Sequence, residues 1–190
     1  MSTGIGWEKM PTLSTERLVL RNLREQDVEM VFEVFRDPDV MRYWSSPPMT
    51  GIAEAEALIR QIHDLFRAGT LFQWGIASRS SDAILGTCTL FHLDLTHRRG
   101  EIGFALGKQH WGQGIASEAV ARLIALAFEE LGLHRIEADV DPRNEGSLRL
   151  LERQGFQREG LLRERYQVGG EIQDAVFLGL LRPEWKGVQR

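Results

Sequence analysis

Arg99-Gly100-Glu101-Ile102-Gly103-Phe104-Ala105-Leu106, followed shortly by Trp111-Gly112-Gln113-Gly114-Ile115-Ala116-Ser117-Glu118, is the stretch that decides the fold. It reads as a strand, a short turn and a glycine-rich entry into a long amphipathic helix. The first N–H groups of a helix have no partner within it. Together with the positive end of the helix dipole they attract anions. Gly112 and Gly114 carry no side chain, so a diphosphate can approach the main chain closely. The stretch predicts a phosphate-bearing cofactor on this helix N-terminus, and its structural alternative is a plain strand-to-helix connection. The spacing of Gly103, Gly107, Gly112 and Gly114 does not match a dinucleotide fingerprint, and Gly107-Lys108 followed by Gln109 is not a Walker loop. Both points argue against hydride transfer and NTP hydrolysis.

Outward from that stretch, hydrophobic periodicity outlines the remaining elements. Residues 17–21 alternate as a strand. Val28, Val31, Phe32 and Phe35 fall at helical spacing before Asp37-Pro38. A loop spans 43–50, and Thr50 is placed to cap a helix carrying Ala53, Ala57, Leu58, Ile62 and Phe66 that stops at Gly69. Residues 72–77 and 84–92 read as strands around a polar turn. The glycine-rich helix buries Val120, Leu123, Ile124, Ala127, Phe128 and Leu131, with Gly132 as its C-cap. Then come a strand over 134–140, a helix over 144–154 ended by Gly155, and late strands over 156–161 and 175–181. A connection over 163–173 turns at Gly169-Gly170. The order predicts an α/β (α+β) fold, a mixed central sheet flanked by helices.

The bulk composition narrows the partners. The chain has 190 residues, 43% hydrophobic and 26% charged, with a formal net charge of −4. These are ordinary values for a globular domain, and the charge balance points to no nucleic-acid surface. One cysteine, Cys88, forms no internal disulfide and reads as core. No apolar run approaches membrane-spanning length. The opening residues 1–6 lack the regions of a signal peptide, so a cytoplasmic location is expected. We expect an N-terminal extension over 1–12, a single domain over 13–185 and a tail over 186–190.

Several residues stand out for chemistry. Asn144, after a strand, suits a helix N-cap, or an amide bonding a cofactor. Ser147 lies one turn further, as a solvated helix position or a hydroxyl that donates to a leaving group. Glu101 is a carboxylate in a central strand, which requires a cleft or an ion-pair partner such as Arg99 or Arg135. Tyr166 offers a neutral phenol as a proton donor, or is an ordinary packed aromatic. His63, His92, His97, His110 and His134 show no metal-ligand spacing, so no metal is expected.

These segments in this order resemble the GNAT superfamily of acyl-CoA-dependent N-acetyltransferases. The family's phosphate signature, Arg/Gln-x-x-Gly-x-Gly/Ala, falls on 111–116, with Trp111 departing at the first position. Trp there, the opening at 13–21, Asn144-x-x-Ser147 with Leu151-Glu152-x-x-Gly155-Phe156, Asp174 and the closing Arg182-Pro183-Glu184-Trp185 resemble the RimJ/RimL-type branch of ribosomal-protein N-terminal acetyltransferases. The resemblance implies acetyl-CoA as cosubstrate. It implies backbone contacts from Phe104, Ala105 and Leu106 to the pantetheine arm. It implies pyrophosphate binding by Trp111, Gly112, Gln113, Gly114, Ile115, Ala116 and Ser117, and pantetheine contact by Asn144 and Ser147. A strand N–H near Leu106 is placed to polarise the thioester carbonyl. Many family members place a tyrosine four residues before the glycine of the second motif, where this chain has Leu151. The catalytic set expected is thus Glu101 as base, with Ser147, Tyr166 or water supplying the acid. The acceptor expected is a primary amine, foremost a peptide N-terminal α-amine. A polyamine or aminoglycoside, or a catalytically weak acyl-CoA sensor, is the alternative. Neither nucleic acid nor membrane is an expected partner, and pairing of edge strands leaves a homodimer open.

Overall fold

The structure, a computed structural model, describes residues 5–187. The chain opens with a tight hairpin, β1 (Leu13–Ser14) and β2 (Leu18–Arg21). Helices α1 (Val28–Phe35), α2 (Pro38–Met41) and α3 (Ile52–Arg67) precede a three-strand meander, β3 (Leu71–Ser78), β4 (Ile84–Asp94) and β5 (Arg99–Leu106). The glycine-rich turn leads into α4 (Ile115–Ala125). β6 (Arg135–Val140), α5 (Glu145–Arg153), β7 (Gln157–Val168) and β8 (Glu171–Leu181) complete the fold. All form one sheet in the order β1-β2-β3-β4-β5-β6-β8-β7, antiparallel except between β5 and β6. The expected mixed sheet flanked by helices is observed.

The sheet carries a core on each face. On one side Phe72, Trp74 and Ile76 of β3, Cys88 and Leu90 of β4 and Ile102 of β5 pack on Ala119, Val120, Leu123, Ile124 and Phe128. The α4 helix ends through a wide turn in which Leu131 N–H donates to the Leu126 carbonyl, and Gly132 follows at φ +65°. On the other side Ala77, Ile84 and Ala105 meet Val31, Val34 and Phe35 of α1 and Ala55, Ile59 and Ile62 of α3. Burial pushes the Cys88 thiol well above its ordinary range, which leaves it an inert core residue.

Three expectations need correction. The buried stripe of α3 runs Ala55–Ile59–Ile62, while Ala53 and Ala57 face solvent. Gly51, not Thr50, is the N-cap, and Glu54 accepts from the Thr50 and Gly51 N–H groups and the Thr50 hydroxyl. Residues 163–173 are more than a connection between short strands: β7 and β8 run through them as one long hairpin, turning at Gly169-Gly170 as expected. The segment before β1 packs closely on the sheet. The Trp7 ring meets Phe72 edge-on at 5.4 Å, Met10 is buried, and the Trp74 indole donates to the Pro11 carbonyl at 2.7 Å. Residues 1–4 and 188–190, parts of the expected extension and tail, lie outside the described residues.

One topological detail positions the site. β5 pairs with β6 only over Arg99↔Arg135, Gly100↔Ile136 and Glu101↔Glu137. Beyond that the two parallel strands part, although β5 continues to Leu106 and β6 to Val140. The gap opens at mid-sheet, at the carboxyl ends of both strands, where α/β sheets commonly hold ligands.

Candidate functional site

Two cavities meet over this split. The larger, about 800 Å³, runs past Phe104, Ala105 and Leu106, along the glycine-rich turn and the start of α4, to the first turns of α5. The smaller, about 300 Å³, lies over the sheet beside Glu101, Gly103 and Asp139. Tyr43, Trp44, Phe104, Asn144 and Ser147 line both and mark the junction.

The glycine-rich turn has the geometry of an anion cradle. Gly112 and Gly114 sit at φ +73° and +75°, in the left-handed region that favours glycine. The Trp111 N–H donates to the Lys108 carbonyl, but the N–H groups of Gly112, Gln113, Gly114, Ile115, Ala116 and Ser117 have no acceptor among the described residues. The turn is buttressed from behind. Arg17 donates to the Gln113 carbonyl at 2.9 Å and to Glu118 at 2.6 Å. Burial pushes the Glu118 carboxyl up, but bonds from Thr15 and Arg17 outweigh it and hold it below its ordinary range. The Trp111 indole N–H donates to the Leu106 carbonyl at 2.7 Å. That bond clips the turn to the end of β5 and gives the odd first residue of the signature a positioning task.

The structure therefore refines the set of candidate cofactor residues. Phe104, Ala105, Leu106, Trp111, Gly112, Gly114, Ile115, Ala116, Ser117, Asn144 and Ser147 all line the larger cavity. The Leu106 carbonyl already accepts from the Trp111 indole. Gln113 does not line the cavity, and its side chain donates to the Gln109 carbonyl. Ser117 Oγ accepts from Gln154. Asn144 caps α5, its Oδ1 accepting from Ser147 N–H at 3.1 Å, and its NH₂ has no partner among the described residues. Arg143, Arg149 and Arg153 line it alongside Asp39 and Glu145, the last of which accepts from Arg149. Unpaired main-chain donors and these arginines fit a polyanionic coenzyme.

The smaller cavity has the opposite polarity. Its floor is two cross-strand rows of the sheet, Leu71–Phe91–Glu101 and Gln73–Thr89–Gly103. Gly103 matters here because a side chain would fill the floor beside Phe91. Glu101, Asp139, Asp141 and Asp174 bring four carboxylates, and no lysine or arginine lines the cavity. Glu101, 15% exposed, meets His92 Nδ1 at 3.1 Å. Its expected partners go elsewhere: Arg99 and Arg135 both bond Glu137. His92 holds φ +47° where the β4–β5 ladder breaks, a strained setting for a non-glycine residue.

The two candidate acids occupy different places. Ser147 is at the junction of the cavities, and its hydroxyl has no partner among the described residues. Tyr166 lines only the smaller cavity and donates to Asp139 Oδ2 at 3.0 Å. Burial, then the Asp139 charge, raises its pKa. Sequence reasoning missed Gln73, Thr89, Gln173 and Asp139. The alternation Arg135-x-Glu137-x-Asp139-x-Asp141 against Ile136, Ala138 and Val140 is a polar strand face that signalled the last of them. Among the described residues no group of three or more His, Cys, Asp or Glu is placed to hold a metal, and no helix is long and apolar enough to cross a membrane.

A family model described as an acetyltransferase (GNAT) domain matches residues 17–157. "Uncharacterized N-acetyltransferase p20" of Bacillus licheniformis is 40% identical over 94% of this chain and 100% of its own length. "Putative ribosomal N-acetyltransferase YdaF" of Bacillus subtilis is 32% identical over 90% of this chain and 95% of its own. A crystal structure of spermidine N-acetyltransferase from Vibrio cholerae, in complex with CoA and spermine, superposes with a TM-score of 0.77 at 24% identity, covering 90% of this chain and 98% of that one.

Proposed function

This chain belongs to the GNAT acetyltransferase family, and from that premise we propose that it is an N-acetyltransferase for the α-amine of a peptide. Acetyl-CoA, the family's acyl donor, supplies an acetyl group activated as a thioester. The observation that carries the reading is the junction of the two cavities. A groove with free main-chain N–H groups and arginines in its lining meets a pocket of four carboxylates at Ser147 and Asn144. The first suits a polyanionic coenzyme and the second a cationic amine.

The amine must lose a proton before it attacks. At pH 7 the neutral form of an α-amine costs about 1 kcal/mol, and that of a lysine about 4–5 kcal/mol. Glu101, in the floor of the smaller cavity, accepts that proton directly or through water. Ser147, at the junction, returns a proton to the departing thiolate. The Asn144 NH₂ and the turn N–H groups orient the donor.

The pocket floor supports a peptide over a polyamine. Gln73, Thr89 and Gln173 are each 8% exposed, and their side chains have no protein partner among the described residues. Their amide and hydroxyl groups donate as well as accept. A peptide offers a carbonyl beside its amine, whereas a protonated polyamine brings donors only. The carboxylates alone support a polyamine equally, so a competition decides. Thiol release from acetyl-CoA is followed with short free-N-terminal peptides, polyamines and aminoglycosides. We expect the peptides to give the highest kcat/KM. Turnover confined to polyamines or aminoglycosides overturns the peptide assignment. Coenzyme binding without amine-dependent thiol release identifies a sensor instead.

A further inference from the structure

On the α3 side of the sheet, Ala77 and Ala105 pack with Leu23 and Ile84 in an apolar core. Toward the smaller cavity, the same three strands carry the row Gln73–Thr89–Gly103. Apolar side chains at 73 and 89 would have extended the core. Instead the chain buries an amide and a hydroxyl there, each residue 8% exposed and without a side-chain partner among the described residues. Gln173, equally buried, stands across the β5–β6 split, on β8 ahead of Val176, where pairing with β6 starts.

Buried polar groups without partners are costly, and native proteins keep few of them. These three differ from the other unpaired groups in one respect. Thr87 Oγ1 and Asp139 Oδ1 are sealed off entirely. The polar ends of Gln73, Thr89 and Gln173 are not sealed, and all three residues line the smaller cavity. They present unpaired donors and acceptors to whatever enters it.

Their chemistry specifies that ligand. A glutamine amide and a threonine hydroxyl are uncharged, and each both donates and accepts. A peptide group is likewise neutral, with one donor and one acceptor. A free amino acid would bring its carboxylate among Glu101, Asp139, Asp141 and Asp174, and a protonated alkylamine brings no acceptor. Position agrees with chemistry. Glu101 lies on the same face as Gly103, two residues or about 7 Å along β5. An amine beside Glu101 leaves the peptide group that follows it over the polar row, where Gly103 puts no side chain in its way.

We propose that Gln73, Thr89 and Gln173 form a subsite that reads the first peptide group of the acceptor, Gln73 and Thr89 from one side of the split and Gln173 from the other. The proposal rests on the reading that this cavity receives the amine. It narrows the acceptor to an amine followed by an amide, and it rejects free amino acids and plain alkylamines.

Calorimetric titration into the full chain loaded with coenzyme A tests this without turnover. The probes are a dipeptide amide, the ester in which oxygen replaces its central N–H, the free amino acid and an alkylamine of similar length. The dipeptide amide is expected to bind at least about tenfold more tightly than each of the others. An ester that binds as well, or no binding of the amide at all, overturns the proposal. Gln73→Leu and Gln173→Leu remove an amide at nearly constant volume. Each is expected to cut the amide-over-ester preference to within about threefold, and a preference kept in both overturns the proposal. Because the lost group had no protein partner, the melting midpoint holds or rises. A fall of more than about 5 °C, repeated in Gln73→Met and Gln173→Met, marks structural residues and overturns it as well. Thiol release separates the two readings. Peptide turnover without any preference for the amide over the ester sinks the subsite alone. Amide-selective binding with no thiol released by any amine sinks the transfer reading alone.

Discussion

At the residue scale, the division between Ser147 and Tyr166 is the sharpest test of the chemistry. Ser147 stands where the two cavities meet, with a hydroxyl free of protein partners among the described residues. Tyr166 is committed to Asp139, and its raised pKa makes it a weaker acid. Ser147→Ala should lower kcat about 100-fold, the usual worth of a general acid. Tyr166→Phe should leave kcat within about threefold and act on the amine KM. Stopped-assay kinetics with saturating acetyl-CoA checks both. Gly114 carries a second prediction. At φ +75° a side chain is strained by about 1 kcal/mol, and a Cβ would lie 3.3 Å from the Arg17 guanidinium that braces the turn. Gly114→Ala should lower the melting midpoint by about 2–4 °C and weaken coenzyme A binding about tenfold, read by calorimetric titration. Much of this scale was legible in the sequence. The glycines, Asn144, Ser147 and Glu101 stood out because their types and local spacing carry meaning. The Trp111–Leu106 bond and the unpaired Asp139 oxygen did not, because each depends on partners brought together by the sheet.

At the element scale, periodicity located the strands and helices wherever one face is buried and the other is not. α4 is the clear case, with its apolar stripe read correctly from Val120 to Phe128. In α3, Leu58, Ile62 and Phe66 do pack against the core, but its alanines occur on both faces and only packing selects Ala55 over Ala53 and Ala57. β7 was cut short because it is exposed along nearly all its length and therefore shows no alternation to read. Polar staples between elements were equally invisible. Arg21 of β2, 4% exposed, bonds Asp27 by two N–H groups at 2.7 and 2.9 Å, and Asp82 in the β3–β4 turn at 2.6 Å. The Arg21 hydrogen bond holds the Asp82 carboxyl below its ordinary range. A carboxyl with a depressed folded pKa stabilises above its unfolded value, about 3.9, and loses that contribution as pH falls through the folded value. Asp82→Asn should therefore melt below wild type at pH 7. The gap between the two should close as pH is lowered beneath about 4, in a series of melting curves.

At the scale of the whole molecule, the sheet sorts charge. Its α4 side ends in free N–H groups and arginines, its α3 side in carboxylates, and the β5–β6 split joins them. The order of the strands was not readable from the sequence, since nothing local announces that β8 will slip between β6 and β7. The segment ahead of β1 shows the same limit. It caps the core through Trp7, Met10 and the Pro11 carbonyl, contacts that no local pattern announces. Deleting residues 1–12 should cost about 3 kcal/mol or more, from Met10 burial and an orphaned Trp74 indole N–H. Denaturant unfolding of the shortened chain against the full one measures it.

Because the last strand made is an interior one, synthesis and competence come in a fixed order. A nascent chain that has emerged through α5 already owns the glycine-rich turn with its unpaired N–H groups, yet β6 still presents a bare edge. The wall bearing Tyr166, Gln173 and Asp174 arrives only with the closing hairpin. Translation halted before Glu171 would thus yield a stub with a coenzyme groove, half a pocket and an open strand edge. Such an edge invites pairing with other chains, and so aggregation of incomplete copies.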